Sequence, residues 1–271
     1  MSDHAVNVAN LRKVFSRGGR GHDVVAVDDV SFSVARGSSL AIVGESGSGK
    51  TTCARIIAGL ETATSGQLEI NGQAQETGRL THRKRGQRAR DVQMVFQDPR
   101  ASLDPMQTVG AALVEVLGQQ TSLSRTERRA RALELLDQVG LDERAAESLP
   151  RHMSGGQRQR VAIARALAAD TDILILDEAV SALDVSVQAQ VLRLLQELRE
   201  IRQLTYVFVS HDLGVVRQIS DMCVVMNQGR VVETGPTERV LDSPAEQYTR
   251  ELISAVPGPG WVPRRRKVSV G

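Results

Sequence analysis

Ser39-Leu40-Ala41-Ile42-Val43-Gly44-Glu45-Ser46-Gly47-Ser48-Gly49-Lys50-Thr51 joins a short apolar run to a glycine-rich turn. The run reads as a buried strand, and Thr52 to Leu60 beyond the turn has helical character. The turn fits the phosphate-binding loop: glycine, four residues, then Gly-Lys-Thr. Glycines let such a backbone curl until successive N–H groups point at phosphate oxygens. The helix that follows turns its positive end to the same anion. Lys50 adds a point charge near the terminal phosphates, and the Thr51 hydroxyl suits Mg²⁺, which prefers oxygen ligands. Gly44, Glu45, Ser46, Gly47, Ser48, Gly49, Lys50, Thr51 and Thr52 are therefore the candidate phosphate site. A hydrolase nucleophile elbow also begins glycine, any residue, serine, but its fifth position must be glycine, where this chain has Ser48.

A second site lies farther on. Ile173-Leu174-Ile175-Leu176 runs directly into Asp177-Glu178. Carboxylates at the carboxyl end of a core strand sit in the crevice where such sheets bind ligands. Asp177 is placed to hold Mg²⁺, and Glu178 to polarise a water for attack on the terminal phosphate.

Around these two sites the chain alternates strands and helices. Val6, Val8 and Leu11, then Val30, Phe32 and Val34, alternate with polar residues as strands do. Ser16 to Gly21 between them is a glycine-rich loop. A short strand lies between Ser65-Gly66 and Asn71-Gly72, and Val92 to Phe96 is strand-like. Residues 98–170 differ, with helical patterns at Thr126 to Val139 and Val161 to Ala169. Beyond Ile173–Leu176 follow a helix at Val187 to Ile201 and a buried strand at Tyr206 to Val209. Met222 to Met226 and Arg230 to Glu233 flank Asn227-Gln228-Gly229, a hairpin signal. This order predicts an α/β core with a mostly parallel sheet and a helical insertion at about 98–170. Residues 1–256 read as one domain, and the Pro-, Gly- and Arg-rich 257–271 as a loosely ordered tail. The basic run Arg79 to Arg90 reads as an exposed, solvated face.

Bulk composition excludes other classes. The chain has 271 residues and a formal net charge of +2, so no dominant nucleic-acid footprint is expected. Cys53 and Cys223 are the only cysteines, which argues against a disulfide framework and fits a reducing cytosol. No stretch approaches a membrane span.

Further segments carry a resemblance. Met153-Ser154-Gly155-Gly156-Gln157-Arg158-Gln159-Arg160 resembles the signature sequence of ABC ATPases, Val95-Phe96-Gln97-Asp98-Pro99 their Q-loop, Ser181-Ala182-Leu183-Asp184 their D-loop, and Ser210-His211-Asp212 their switch histidine. The resemblance runs from about Val6 to Pro236. It implies a P-loop NTPase, RecA-like core with an N-terminal antiparallel β subdomain and an inserted helical subdomain. It also implies ATP and Mg²⁺ as ligands. Gln97 would reach Mg²⁺ or the attacking water and sense a membrane partner, and His211 would contact the terminal phosphate. Phe15 matches the aromatic that stacks on adenine, against the competing reading of a core phenylalanine. His4, His22, His82 and His152 have no such context and read as surface or packing residues. Ser154, Gly155, Gly156 and Gln157 would face the ATP of a second ATPase subunit, so each chain holds two half-sites. Met153 stands in for the more usual Leu, and Ala179-Val180 for Pro-Thr, with both carboxylates kept.

Two segments resemble the peptide and nickel importer branch: Asp98 to Pro105 and Asp184 to Gln190. Ser243 to Leu252 looks like its tail motif, with Ser243 in place of His and extra residues between Pro244 and Tyr248. With no cysteine after Cys223, an iron–sulfur cluster there is excluded. The expectation is an ATPase at the cytoplasmic face of a membrane, powering uptake of oligopeptides, dipeptides or similar solutes. Its partners would be two permeases, a second ATPase and, indirectly, an external binding protein. The alternatives are a soluble ABC ATPase of nucleic-acid repair or translation, and an exporter ATPase.

Overall fold

A computed structural model describes residues 3–16, 23–99 and 102–255. The loop read at Ser16 to Gly21 lies outside the described residues from Arg17 on, as do Arg100-Ala101 and the tail read at 257–271.

The apolar run around Leu40 becomes the strand on which the rest is hung. Ahead of it, His4–Phe15 (β1) and Val24–Ala35 (β2) pair antiparallel. Ser39–Val43 (β3) follows, then Lys50–Ile57 (α1), Ser65–Ile70 (β4) and Gln73–Gln75 (β5). β1, β2, β4 and β5 make a four-stranded antiparallel sheet in the order β2-β1-β4-β5. The second sheet has six strands, β10-β9-β3-β8-β7-β6. Its members are Val92–Val95 (β6), Ile173–Asp177 (β7), Thr205–Ser210 (β8), Met222–Asn227 (β9) and Arg230–Pro236 (β10), together with β3. Every pair is parallel except β9 with β10, the expected hairpin.

From Leu40 to Val43, β3 is apolar without interruption because both of its faces are buried. Leu40 and Ile42 point to one side, with Ile173, Ile175, Val207 and Val209. There they meet Cys53, Ile56 and Ile57 of α1 and the inner face of the antiparallel sheet. Ala41 and Val43 point to the other side, toward Leu213–Ile219 (α7) and Thr237–Asp242 (α8). On that same side Leu174, Leu176, Tyr206 and Phe208 join the core of the helical insertion.

The insertion contains Val109–Gln120 (α3), Arg125–Gln138 (α4) and Gly155–Leu167 (α5), and Val185–Arg202 (α6) follows β7. α4 begins with a reciprocal cap: Ser124 Oγ accepts from the Glu127 N–H while the Glu127 carboxylate accepts from the Ser124 N–H. The sequence reading missed α3, whose Gly110 and Gly118 dilute a helical signal. Helix formation there is anchored by the Thr108 cap and by burial of Val109, Leu113 and Leu117.

The basic run is corrected at one position. It forms His82–Asp91 (α2), and within it Arg88 is only 2% exposed. Its guanidinium donates to the Ile57 and Glu76 carbonyls and to Gln75 Oε1. Ile57 ends α1, where terminal carbonyls lack helical partners and favour a cation. Arg88 is thus a structural bolt between α1, β5 and α2.

Candidate functional site

Val43 leads out of the sheet into Gly44, whose φ of 148° only glycine adopts without strain. A Cβ there would stand 2.2 Å from the Met226 carbonyl oxygen, so the loop passes against the end of β9 with no room for a side chain. Ser48 accepts from the Gly229 N–H at 3.0 Å through its carbonyl, so the β9–β10 turn also supports the loop. Glu45, Ser46 and Gly47 are exposed, and Ser48 and Lys50 are buried. The α1 helix starts with no side-chain cap, which leaves its first N–H groups to an anion. Thr51 and Thr52 lie half-buried in its first turn.

Lys50 folds back on its own loop. Its ammonium donates to the Gly44 carbonyl at 2.8 Å and the Glu45 carbonyl at 2.7 Å. Burial pushes its pKa below the ordinary 10.5, and the charges of Glu178 and Asp177 pull it back up. Thr51 Oγ1 donates to Asp177 Oδ1 at 2.9 Å. Burial also raises the Asp177 pKa above 3.8, opposed by the Thr51 hydroxyl, Arg55 and Lys50. A half-buried hydroxyl and a buried carboxylate in contact form an oxygen donor set that fits Mg²⁺.

Glu178 follows Asp177 in the left-handed region, with φ 48°. Its N–H donates to the Val209 carbonyl at 2.9 Å, and its carbonyl accepts from the Ser181 N–H and hydroxyl. These bonds hold a backbone conformation unfavourable to a glutamate, a kind of strain that collects at functional sites. The carboxylate then meets His211 Nδ1 at 3.2 Å. His211 is mostly exposed just past β8, and the sequence reading did not foresee its contact with Glu178. The neighbouring Asp212 caps α7, accepting from the Gly214 and Val215 N–H groups.

Lys50, Thr51, Asp177, Glu178 and His211 are thereby brought together at the carboxyl ends of β3, β7 and β8. The other candidates lie elsewhere. Gln97 is exposed after β6 and lines a cleft of about 170 Å³ with Asp98, Pro99, Gly155, Arg158 and Leu183. Ser154 Oγ accepts from the Gln157 N–H and Gln157 Oε1 from the Ser154 N–H, a cap that spends both side chains on α5 itself. The serine three residues before a glutamine was the signal for it, and the sequence reading did not use it. Ser154 and Gln157 are exposed, while Gly156 is buried. A Cβ on Gly156 would stand 2.3 Å from Val187 Cγ1, so this glycine also permits close packing on α6. Phe15 is 39% exposed at the end of β1, with Lys13 Nζ 4.7 Å from its ring centre. Ala179 and Val180 are buried in the helical core, as is Met153.

This geometry is that of a nucleotide-hydrolysing cassette, and known proteins agree. A family model described as ABC transporter matches residues 27–181. A di/tripeptide transport ATP-binding protein of Pseudomonas aeruginosa is 46% identical over 252 residues, 93% of this chain and 77% of the relative. An oligopeptide transport ATP-binding protein of Bacillus subtilis is 44% identical over 262 residues, 96% of this chain and 84% of the relative. A dimeric ATP-binding cassette solved in a post-hydrolysis state with ADP and phosphate is 32% identical. It superposes with a TM-score of 0.75 over 86% of this chain and 98% of its own. The chain belongs to the ABC transporter family and is an ATPase of that family.

Proposed function

We propose that this ATPase powers uptake of oligopeptides, dipeptides or similar small solutes through two partner permeases, from the cytoplasmic face of the membrane. The observation that carries the chemistry is the convergence of Lys50, Thr51, Asp177 and Glu178 in one crevice. The relatives named for peptide transport support the substrate class. No helix among the described residues is long and apolar enough to cross a membrane, which fits a subunit that docks on one.

In this reading the loop N–H groups and Lys50 hold the phosphates, and Phe15 stacks on the adenine. Thr51 and Asp177 would hold Mg²⁺, and Gln97 would reach it or the attacking water. The metal would supply neutralisation of charge on the transferred phosphoryl group. Glu178 accepts the proton of the attacking water, and His211 holds its carboxylate in place. Ser154, Gly155, Gly156 and Gln157 present a second anion site to the nucleotide of a partner cassette. Closure of the pair and reopening after hydrolysis drive the permeases, as lid and domain closures drive other cycles.

The test uses two variants. Lys50→Ala should abolish tight binding of a fluorescent Mg·ATP analogue. Glu178→Gln should bind it at near-normal affinity and lose turnover by at least about a hundredfold, the lower range of general-base effects. Unchanged affinity in the first, or normal turnover in the second, removes the residue from its role.

A further inference from the structure

The last described helix, Gln247–Ser254 (α9), reaches back to the phosphate loop. The Tyr248 hydroxyl accepts a hydrogen bond from the Glu45 N–H at 3.3 Å. That N–H belongs to the peptide unit whose carbonyl is Gly44 O, and Gly44 O accepts from the Lys50 ammonium at 2.8 Å. One peptide plane is therefore gripped at both ends, by a tyrosine from the far end of the chain and by the phosphate-binding lysine. The residue ahead of the plane is a glycine at φ 148°, with few steric barriers of its own to a peptide flip.

The tyrosine is itself held. Its ring packs on the cluster of Ala41, Val43, Leu213 and Val225. The Glu233 carboxylate on β10 accepts from the Ala245 and Glu246 N–H groups at 2.9 and 3.2 Å, fixing the start of α9. Arg250 donates to the Pro244 and Ala245 carbonyls of the same turn. Burial raises the phenol pKa above 10.0, so the hydroxyl stays protonated at neutral pH.

We infer that Tyr248 is a positioning residue for ATP binding: its hydroxyl fixes the Gly44–Glu45 peptide, which in turn sets where the Lys50 ammonium waits for the terminal phosphates. Without the hydroxyl the peptide samples the flipped orientation. ATP then selects only the competent fraction, and apparent affinity falls by that fraction. The inference rests on the phosphate-loop reading proposed above.

Tyr248→Phe keeps the ring and removes only the acceptor. The experiment measures Kd for a fluorescent ATP analogue, apo Tm, and amide hydrogen exchange of the peptide covering residues 44–50. Kd should rise about three- to tenfold, the worth of one net hydrogen bond. Exchange should quicken in that peptide alone, with Tm lowered by no more than about 4 °C. An unchanged Kd overturns the inference, even if exchange quickens. A higher Kd accompanied by faster exchange across the whole sheet overturns it too, since that is general loosening. Wild type and Lys50→Ala are measured alongside. If wild type does not bind, the phosphate-loop reading falls and this inference with it; if wild type binds, Lys50→Ala does not, and Tyr248→Phe binds as wild type, only Tyr248 loses its role.

Discussion

Asp177 shows what a buried carboxylate does to its own fold. Burial opposes its charge and raises its pKa from 3.8, with Thr51, Arg55 and Lys50 offsetting part of the effect. The unfolded chain releases this proton near 3.8 and the folded chain only at higher pH. Between the two values the folded state binds more protons, so stability falls as pH rises. Above the folded-state value the whole penalty is present; below 3.8 it is absent. Asp177→Asn still accepts the Thr51 hydroxyl but carries no charge. Its nucleotide-free Tm at pH 8 should therefore rise by about 2–4 °C for each 1 kcal/mol relieved. The gain should shrink at about pH 4, close to the unfolded-state value of 3.8, and Mg²⁺-dependent ATP affinity should be lost. Thermal melts at both pH values check this, and a less stable variant at pH 8 contradicts it.

At the scale of elements, the signature helix is tied to its neighbour by an absent side chain. α5 meets the first turn of α6 at Gly156, where Val187 Cγ1 occupies the space of a Cβ. Gly156→Ala should destabilise the protein by about 1–3 kcal/mol, as overpacking does. Adding Val187→Ala should recover part of that loss, because the two side chains would no longer compete. Urea unfolding of both variants measures it; a double variant weaker than Gly156→Ala alone speaks against the packing role. The same reasoning separates Arg88 from its basic neighbours, for its three acceptors lie on α1, β5 and the segment between β5 and α2.

At the scale of the molecule, the crevice residues and the capped start of α5 are separate surfaces. α1 packs on β2, β7 and β8, whereas α5 packs on β6, α3, α4 and α6. In the proposed pair of cassettes, Lys50 and Ser154 of one chain would serve different nucleotides. Lys50→Ala mixed with Ser154→Arg should put both defects in one composite site and leave the other intact. If the chain pairs with itself, the mixture should recover up to about a quarter of wild-type turnover, since random pairing yields half mixed dimers, each with one sound site. Steady-state ATPase assays of the mixture report it. A Ser154→Arg chain that no longer binds ATP as a monomer would instead place Ser154 at its own nucleotide.

What the sequence determined by itself was whatever depends on neighbours along the chain. The phosphate loop is thirteen consecutive residues with Ser39–Val43, and strands such as Ile173–Leu176 announce burial by an unbroken apolar run. Local order also carried the hairpin at Asn227-Gln228-Gly229 and the helix ending near Ile201. Only the tertiary structure decided the contacts that span the chain. His211 against Glu178, Arg88 against Ile57, Gly156 against Val187 and Tyr248 against Glu45 each join residues from different elements. No periodicity or spacing encodes such a pair, because each exists only after β3, β7 and β8 are set side by side and the helices have packed on their two faces. The physical reason is the same in each case: a hydrogen bond or a close approach depends on positions within a few ångströms, and packing sets those positions after the local pattern has chosen the elements.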